Sequence, residues 1–172
     1  GFTTNAIAGR AGINIATLYG YFCDKVAILH ALSARFEQRR AGYLAELVPR
    51  YLETADWREL IDATIDQLVR MRRETPGAIE LRRAIVAVPE LRHLEREGDE
   101  RVSSYLTEVL VLVRPDGDRD ELLGAARAIV VSGAHVLDVV SQSEPIDEQL
   151  LAGYRSMVLA HLERVLEPDR TC

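Results

Sequence analysis

Four donors sit close together near the start of the chain: Thr4, Tyr19, Tyr21 and Lys25. Hydroxyl and ammonium groups of this kind, with the free amides of helix N-termini, are suitable ligands for phosphate oxygens. Nothing comparable suits covalent or metal chemistry. The histidines, His30, His93, His135 and His161, are far apart and form no His-x-x-x-His pattern. The cysteines, Cys23 and Cys172, lie at opposite ends and form no Cys-x-x-Cys, so neither a metal site nor a disulfide framework is expected. A Gly-x-Ser-x-Gly elbow, a phosphate loop and a dinucleotide fingerprint are also missing. Glu95, Glu97, Asp99 and Glu100 read as a solvated face rather than acid–base machinery. No catalytic residue, cofactor or enzymatic activity is expected.

The elements that must hold the four donors are short helices. Thr4 is expected to N-cap a helix over about 5–11, with Ala6, Ile7 and Ala11 inward and Gly12 just past its end, where a left-handed backbone is cheap only for glycine. Asn14 is expected to cap a second helix over about 15–21, and Asp24 a third running from Lys25 to about Leu47, which Pro49 ends. A short helix, a tight turn and a second short helix make the layout of a helix-turn-helix. In that unit the first helix braces across the phosphate backbone and the second enters the major groove.

The remainder also has helical period, so the fold class is all-α. Asp56-Trp57-Arg58-Glu59 has the spacing of a capping box. A helix follows to Thr75-Pro76-Gly77, another covers about 77–87, and Pro89 starts one that Gly98-Asp99 interrupts or kinks. The apolar runs 84–88 and 109–113 keep i, i+3, i+4 spacing and read as helix, not strand. The last two helices cover about 119–141 and 146–166. Together with the first three they make roughly eight.

Composition bounds the class. The 172 residues are 48% hydrophobic, enough for a packed core, and 28% charged. No apolar run approaches the roughly 20 residues that cross a bilayer, and no signal-peptide pattern follows Gly1-Phe2, so a cytoplasmic protein without membrane partners is expected. The net charge of −6 hides a division. Residues 1–50 carry six basic and three acidic side chains, while the rest carries a large acidic excess. A basic end on an acidic body suits a chain that meets a polyanion at one end only.

Thr3 through Lys25, with its Thr-Thr, Ile-Ala, Ala-Gly-Ile, Thr-Leu-Tyr and Tyr-Phe elements and the Lys opening the next helix, resembles the DNA-binding signature of the TetR family of transcriptional regulators. The resemblance implies an N-terminal helix-turn-helix domain (1–47), and ahead of it a family helix that this sequence does not contain. It also implies a C-terminal helical effector-binding and dimerisation domain (48–172). Family members are dimers that bind palindromic operator DNA and usually repress. By position, Thr4, Tyr19, Tyr21 and Lys25 are expected on phosphates, and Asn5, Ile15, Ala16, Thr17 and Gly20 on base edges. Asn14, at the mouth of the second helix, completes the DNA-binding set. Leu18, Phe22, Ile7 and Ala11 are expected to form the small core that locks the motif. The recognition helix has no Arg, Lys or Gln, the bidentate readers of guanine and adenine, so modest base specificity is expected, shared with Asn5 and groove shape.

The body carries no motif of similar specificity. The last two helices are more apolar than a one-sided surface helix requires, so a homodimer through residues about 119–166 is expected as a four-helix bundle. Its seam would draw on Leu122, Ala125, Ala126, Ile129, Ser132, Gly133, Val136, Val139 and Val140 of one helix and on Leu150, Leu151, Tyr154, Met157, Val158, His161, Leu162 and Val165 of the other, with small residues at Ala125, Ala126, Ala128, Gly133 and Ala134 permitting close approach. The resemblance also implies a pocket for a small, largely apolar effector. Its expected wall is Leu68, Met71, Ile85, Val88, Tyr105, Val109 and His135, with Tyr105 and His135 as polar anchors. Glu80, Arg82 and Arg83 are expected to be exposed. The alternative reading is a helical ligand-binding or protein-interaction module that no longer binds DNA.

Overall fold

The computed structural model describes residues 3–52 and 56–167; the readings on Gly1, Phe2 and Cys172 lie outside them. Among the described residues the chain forms eight α-helices and no strand. They are α1 (Thr4–Ala11), α2 (Ile15–Tyr21), α3 (Lys25–Leu52), α4 (Trp57–Glu74), α5 (Ala78–Ala87), α6 (Arg92–Val113), α7 (Arg119–Gln142) and α8 (Glu148–Leu166), with a 3₁₀ turn at Pro89–Leu91 before α6.

Capping explains most of the starts. Side-chain oxygens of Thr3, Asn14, Asp56, Asp118 and Asp147 accept N–H groups of the first turns of α1, α2, α4, α7 and α8. Asp24 does the same for α3 through Ala27 N–H at 2.7 Å. Such a cap contributes about 1 kcal/mol. The cap of α1 is Thr3, not Thr4. Thr3 has the extended backbone a cap needs and accepts Ala6 N–H at 3.2 Å, which leaves the Thr4 hydroxyl free of that task.

Three apolar clusters hold the fold. The smallest joins Ala8, Leu18 and Ile28, with Ile7, Ile13, Phe22 and Leu32 packed around them. Ala6 and Ala11 are exposed, so Ala8 is the small residue that lets α1 approach α2. A second cluster joins Leu29 of α3 to Leu81, Ile85 and Leu91. The largest fills the space between α4, α6, α7 and α8. Its packing is close at one point: a Cβ on Gly133 would lie 2.2 Å from the Tyr154 hydroxyl, which donates to Ile129 O at 2.8 Å.

Four further expectations are corrected. Pro49 does not end α3, which continues to Leu52 with the proline inside its last turn. Gly98 does not interrupt α6; it is buried in a continuous helix, where its missing side chain admits the Arg40 guanidinium of α3. α7 is by length and composition apolar enough to cross a bilayer, contrary to the reading that no such run exists. It is nonetheless folded against the body core through Leu122, Ala126, Leu137 and Val140. Finally, Leu122, Ala125, Ala126, Gly133, Val140, Leu151, Tyr154, Val158, Leu162 and Val165 are buried within the chain. They are not free to form a seam. The outward faces of α7 and α8 carry Ala128, Val139 and Met157 from the expected set, with Gly124, Val131, Ala152, Gly153 and Ala160 beside them.

Candidate functional site

α1 and α2 meet through a turn with a defined hydrogen-bond pattern. Gly12 sits at φ 66°, in the left-handed region. Its N–H reaches Gly9 O at 3.2 Å and Ile13 N–H reaches Ala8 O at 3.0 Å, so two carbonyls of the last turn of α1 are satisfied and the chain reverses within three residues. Asn14 Oδ1 accepts Thr17 N–H at 2.7 Å and so starts α2 at once. Leu18 is the one buried residue of α2, at 4% exposure.

The rest of α2 faces outward. Ile15 is 37% exposed, Tyr19 45% and Tyr21 80%, and Ala16, Thr17 and Gly20 are exposed beside them. Asn5, Asn14 and Lys25 are exposed as well, and Thr4 is half-buried. The Tyr19 hydroxyl donates to Thr4 Oγ1 at 3.4 Å, so two of the candidate phosphate ligands from different helices lie side by side. The ten sequence-derived residues thus share one end of the molecule. Arg10 of α1 and Arg35 and Arg39 of α3 are exposed as well.

The middle of the body holds a cavity of about 90 Å³ between α3, α4, α6, α7 and α8. Leu60, Ile61, Thr64, Ile65 and Leu68 line it from α4, Val102, Tyr105, Leu106 and Val109 from α6, and Ile129, Gly133 and Leu137 from α7. Of the expected wall, Leu68, Tyr105 and Val109 come together there. Met71 is buried but not on the cavity; Ile85 and Val88 pack with Leu29, Leu81 and Leu91. His135 is exposed in a groove between α5, α6 and α7. Tyr105 spends its hydroxyl on Leu44 O at 2.7 Å, which ties α6 to α3, and burial pushes its pKa up.

One end of this cavity is charged, and sequence reasoning missed it. Arg40, Arg72 and Asp99 line that end. Arg72 donates to Leu68 O at 3.2 Å and lies 3.5 Å from Asp138, which also pairs with Arg82. Arg82 reaches Glu95 at 2.7 Å, so it is half-buried rather than exposed, while Glu80 and Arg83 are exposed as expected. Arg40 pairs with Glu37 and donates to Gly98 O at 3.0 Å. The layer draws on α3, α4, α5, α6 and α7. Glu95 and Asp99 belong to it, which corrects their reading as solvated face; Glu97 and Glu100 are exposed. Desolvation lowers the pKa of Arg72 to about 10, with Arg82 and Arg40 adding to the lowering and Asp138 opposing it. Burial also lowers that of Arg40 and raises that of Asp99.

Among the described residues no group of His, Cys, Asp and Glu is placed to hold a metal ion. Residues 1–32 match the family described as bacterial regulatory proteins, tetR family. Residues 56–162 match the tetracyclin repressor-like C-terminal domain. The chain belongs to the TetR family. A TetR-family transcriptional regulator from Streptomyces coelicolor has a similar crystal structure, with a TM-score of 0.65 and 26% identity over 96% of this chain and 88% of that one. No curated protein matches. TetR-family membership makes the chain a transcriptional regulator with a helix-turn-helix DNA-binding domain, not an enzyme. In this TetR-family chain no sequence signal marks Arg40, Arg72 and Asp99. Each has charged neighbours in sequence, as in Arg70-Met71-Arg72-Arg73, and looks like any surface charge.

Proposed function

We propose that the chain is a cytoplasmic, ligand-responsive repressor that binds palindromic operator DNA as a homodimer and is released by a small, largely apolar effector. The observation that carries the DNA half is the one-sidedness of α2: Leu18 is buried and every other residue of the helix is exposed. A helix that contributes one side chain to the core keeps its remaining surface for a partner. Thr4, Tyr19, Tyr21 and Lys25 would take phosphates. Asn5, Asn14, Ile15, Ala16, Thr17 and Gly20 would face the groove, with Ile15, Ala16 and the Thr17 methyl suited to thymine methyl groups.

The dimer reading moves to the outward faces of α7 and α8. Small side chains at Gly124, Ala128, Ala152, Gly153 and Ala160 permit close helix approach, and Val131, Val139 and Met157 supply exposed apolar surface. The division into a reading head (1–47) and a body (48–172) is bridged by α3, whose Ile28 is in the head core and whose Leu44 lines the cavity. A ligand that parts the helices around the cavity therefore acts on the helix that carries the head. It releases DNA if it binds the non-operator arrangement more tightly. The cavity of about 90 Å³ is below the roughly 300 Å³ where ligand pockets begin, so binding requires such widening.

The test is binding to a duplex selected by the protein from a random pool. Affinity should fall steeply with salt, and Lys25→Ala should lower the salt slope by about one per subunit. Absent or salt-insensitive binding returns the non-DNA module. Sedimentation should give a dimer that Met157→Asp splits; a monomeric unmodified chain at micromolar concentration overturns the dimer.

A further inference from the structure

The charged end of the cavity has an imbalance of its own. Arg40 and Arg72 are its deepest polar groups, at about 8% exposure each, and both line the cavity. Arg72 commits Nη1 to Leu68 O and Nε to Asp138, and Arg40 commits Nη2 to Glu37 and Gly98 O. Each guanidinium has five N–H donors. The remaining donors of both have no protein acceptor among the described residues, and the repulsion between the two charges is offset by Asp138 beside Arg72 and by Glu37 and Asp99 beside Arg40. Asp99 is less buried and makes no side-chain hydrogen bond among the described residues. Below this end the walls are apolar. From Arg72 to Ile61 on α4, and from Asp99 to Val109 on α6, they run about 15 Å at 1.5 Å per helical residue.

From this arrangement we infer that the cavity takes an elongated apolar molecule ending in a single carboxylate, with the tail along α4 and α6 and the head between Arg40 and Arg72. The inference rests on the effector reading above and names its ligand class. A carboxylate accepts the uncommitted guanidinium donors and separates two like charges. An ammonium head could pair with Asp99 but would face both guanidiniums and leave their spare donors unmet, and a hydroxyl would satisfy at most one donor pair without charge assistance. Asp99 is the group that opposes the carboxylate, so its charge sets a limit on affinity rather than providing an anchor.

Calorimetric titration of the intact protein with a straight-chain acid, alcohol and amine of about ten carbons, matched to the about 15 Å span, tests this. The acid should bind about tenfold more tightly than the alcohol, and the amine most weakly. Arg72→Gln should bring acid and alcohol to similar affinity. Because Arg72 also joins α4 to α7, a second variant guards against misfolding: Asp99→Asn should tighten the acid severalfold and leave the alcohol unchanged. An alcohol or amine that binds as well as the acid, or an Asp99→Asn protein with unaltered acid affinity, overturns the headgroup while the effector cavity stands. If no probe binds, both fall, and the DNA reading is untouched.

Discussion

The reading head and the body of this TetR-family chain solve opposite problems. The head's own core is three buried residues, Ala8, Leu18 and Ile28, and α1 and α2 present nearly everything else to solvent, while the buried Leu29, Arg40 and Leu44 of α3 belong to contacts with the body. The body buries a far larger cluster and then places arginine and carboxylate side chains beside it, where they are partly or wholly withdrawn from water. The head needs little core because its helices are short and its caps and Gly12 turn supply much of the geometry. In the body the packing faces of four long helices must agree at once. A small core makes a surface whose parts can be changed one by one; a shared core makes a cavity whose walls move together.

The comparison is most directly strained at Leu18. Leu18→Ala should cost about 3 kcal/mol and abolish DNA binding, while most helical signal and the oligomeric state persist in a denaturant titration. Loss of the whole fold in one transition would show that the two regions are not separable. Gly133→Ala addresses the body. The new Cβ meets the Tyr154 ring, so thermal unfolding should report a loss of about 2 kcal/mol despite the better helix propensity of alanine. Thr3→Ala should cost about 1 kcal/mol and weaken DNA binding through α1, whereas Thr4→Ala should leave stability nearly unchanged; equal losses would reassign the cap.

The smallest effect is confined to alkaline solution. Burial pushes the Tyr154 phenol up to about 12, from an ordinary value of 10.0. Between these values the unfolded chain gives up the proton and the folded chain keeps it, so folding binds protons and stability falls as pH rises through this window. Stability measured against pH should show that fall, and Tyr154→Phe should flatten it. An unchanged slope would place the Tyr154 hydroxyl in water rather than against Ile129.

The head was almost fully legible in the sequence because its determinants are contiguous. Asn14 as a cap and Gly12 at a left-handed turn follow from near neighbours, and Leu18 in the core follows from the family resemblance. The misplacements were of one residue, Thr4 for Thr3 as the cap, or of which alanine faces inward. The cavity was legible only in part. Leu68, Tyr105 and Val109 reach it, but Ile85 and Val88 belong to a different cluster and His135 to an outer groove. Helical period says that a face is apolar; it does not say which of several neighbours that face meets.

By itself the sequence determined the all-α class, the helix order, the turn of the reading head with its Asn14 and Asp24 caps, and the family. All of these depend on hydrogen bonds and periodicity within a few residues, or on identities in a fixed order. Tertiary structure alone decided which faces of α7 and α8 remain uncovered, which side chains bound the cavity, and that Arg40, Arg72, Arg82, Glu95, Asp99 and Asp138 form one charged layer. Those charges come from five helices and are separated by up to about a hundred residues. Burial and Coulomb energy depend on distances in space, which no spacing along the chain records.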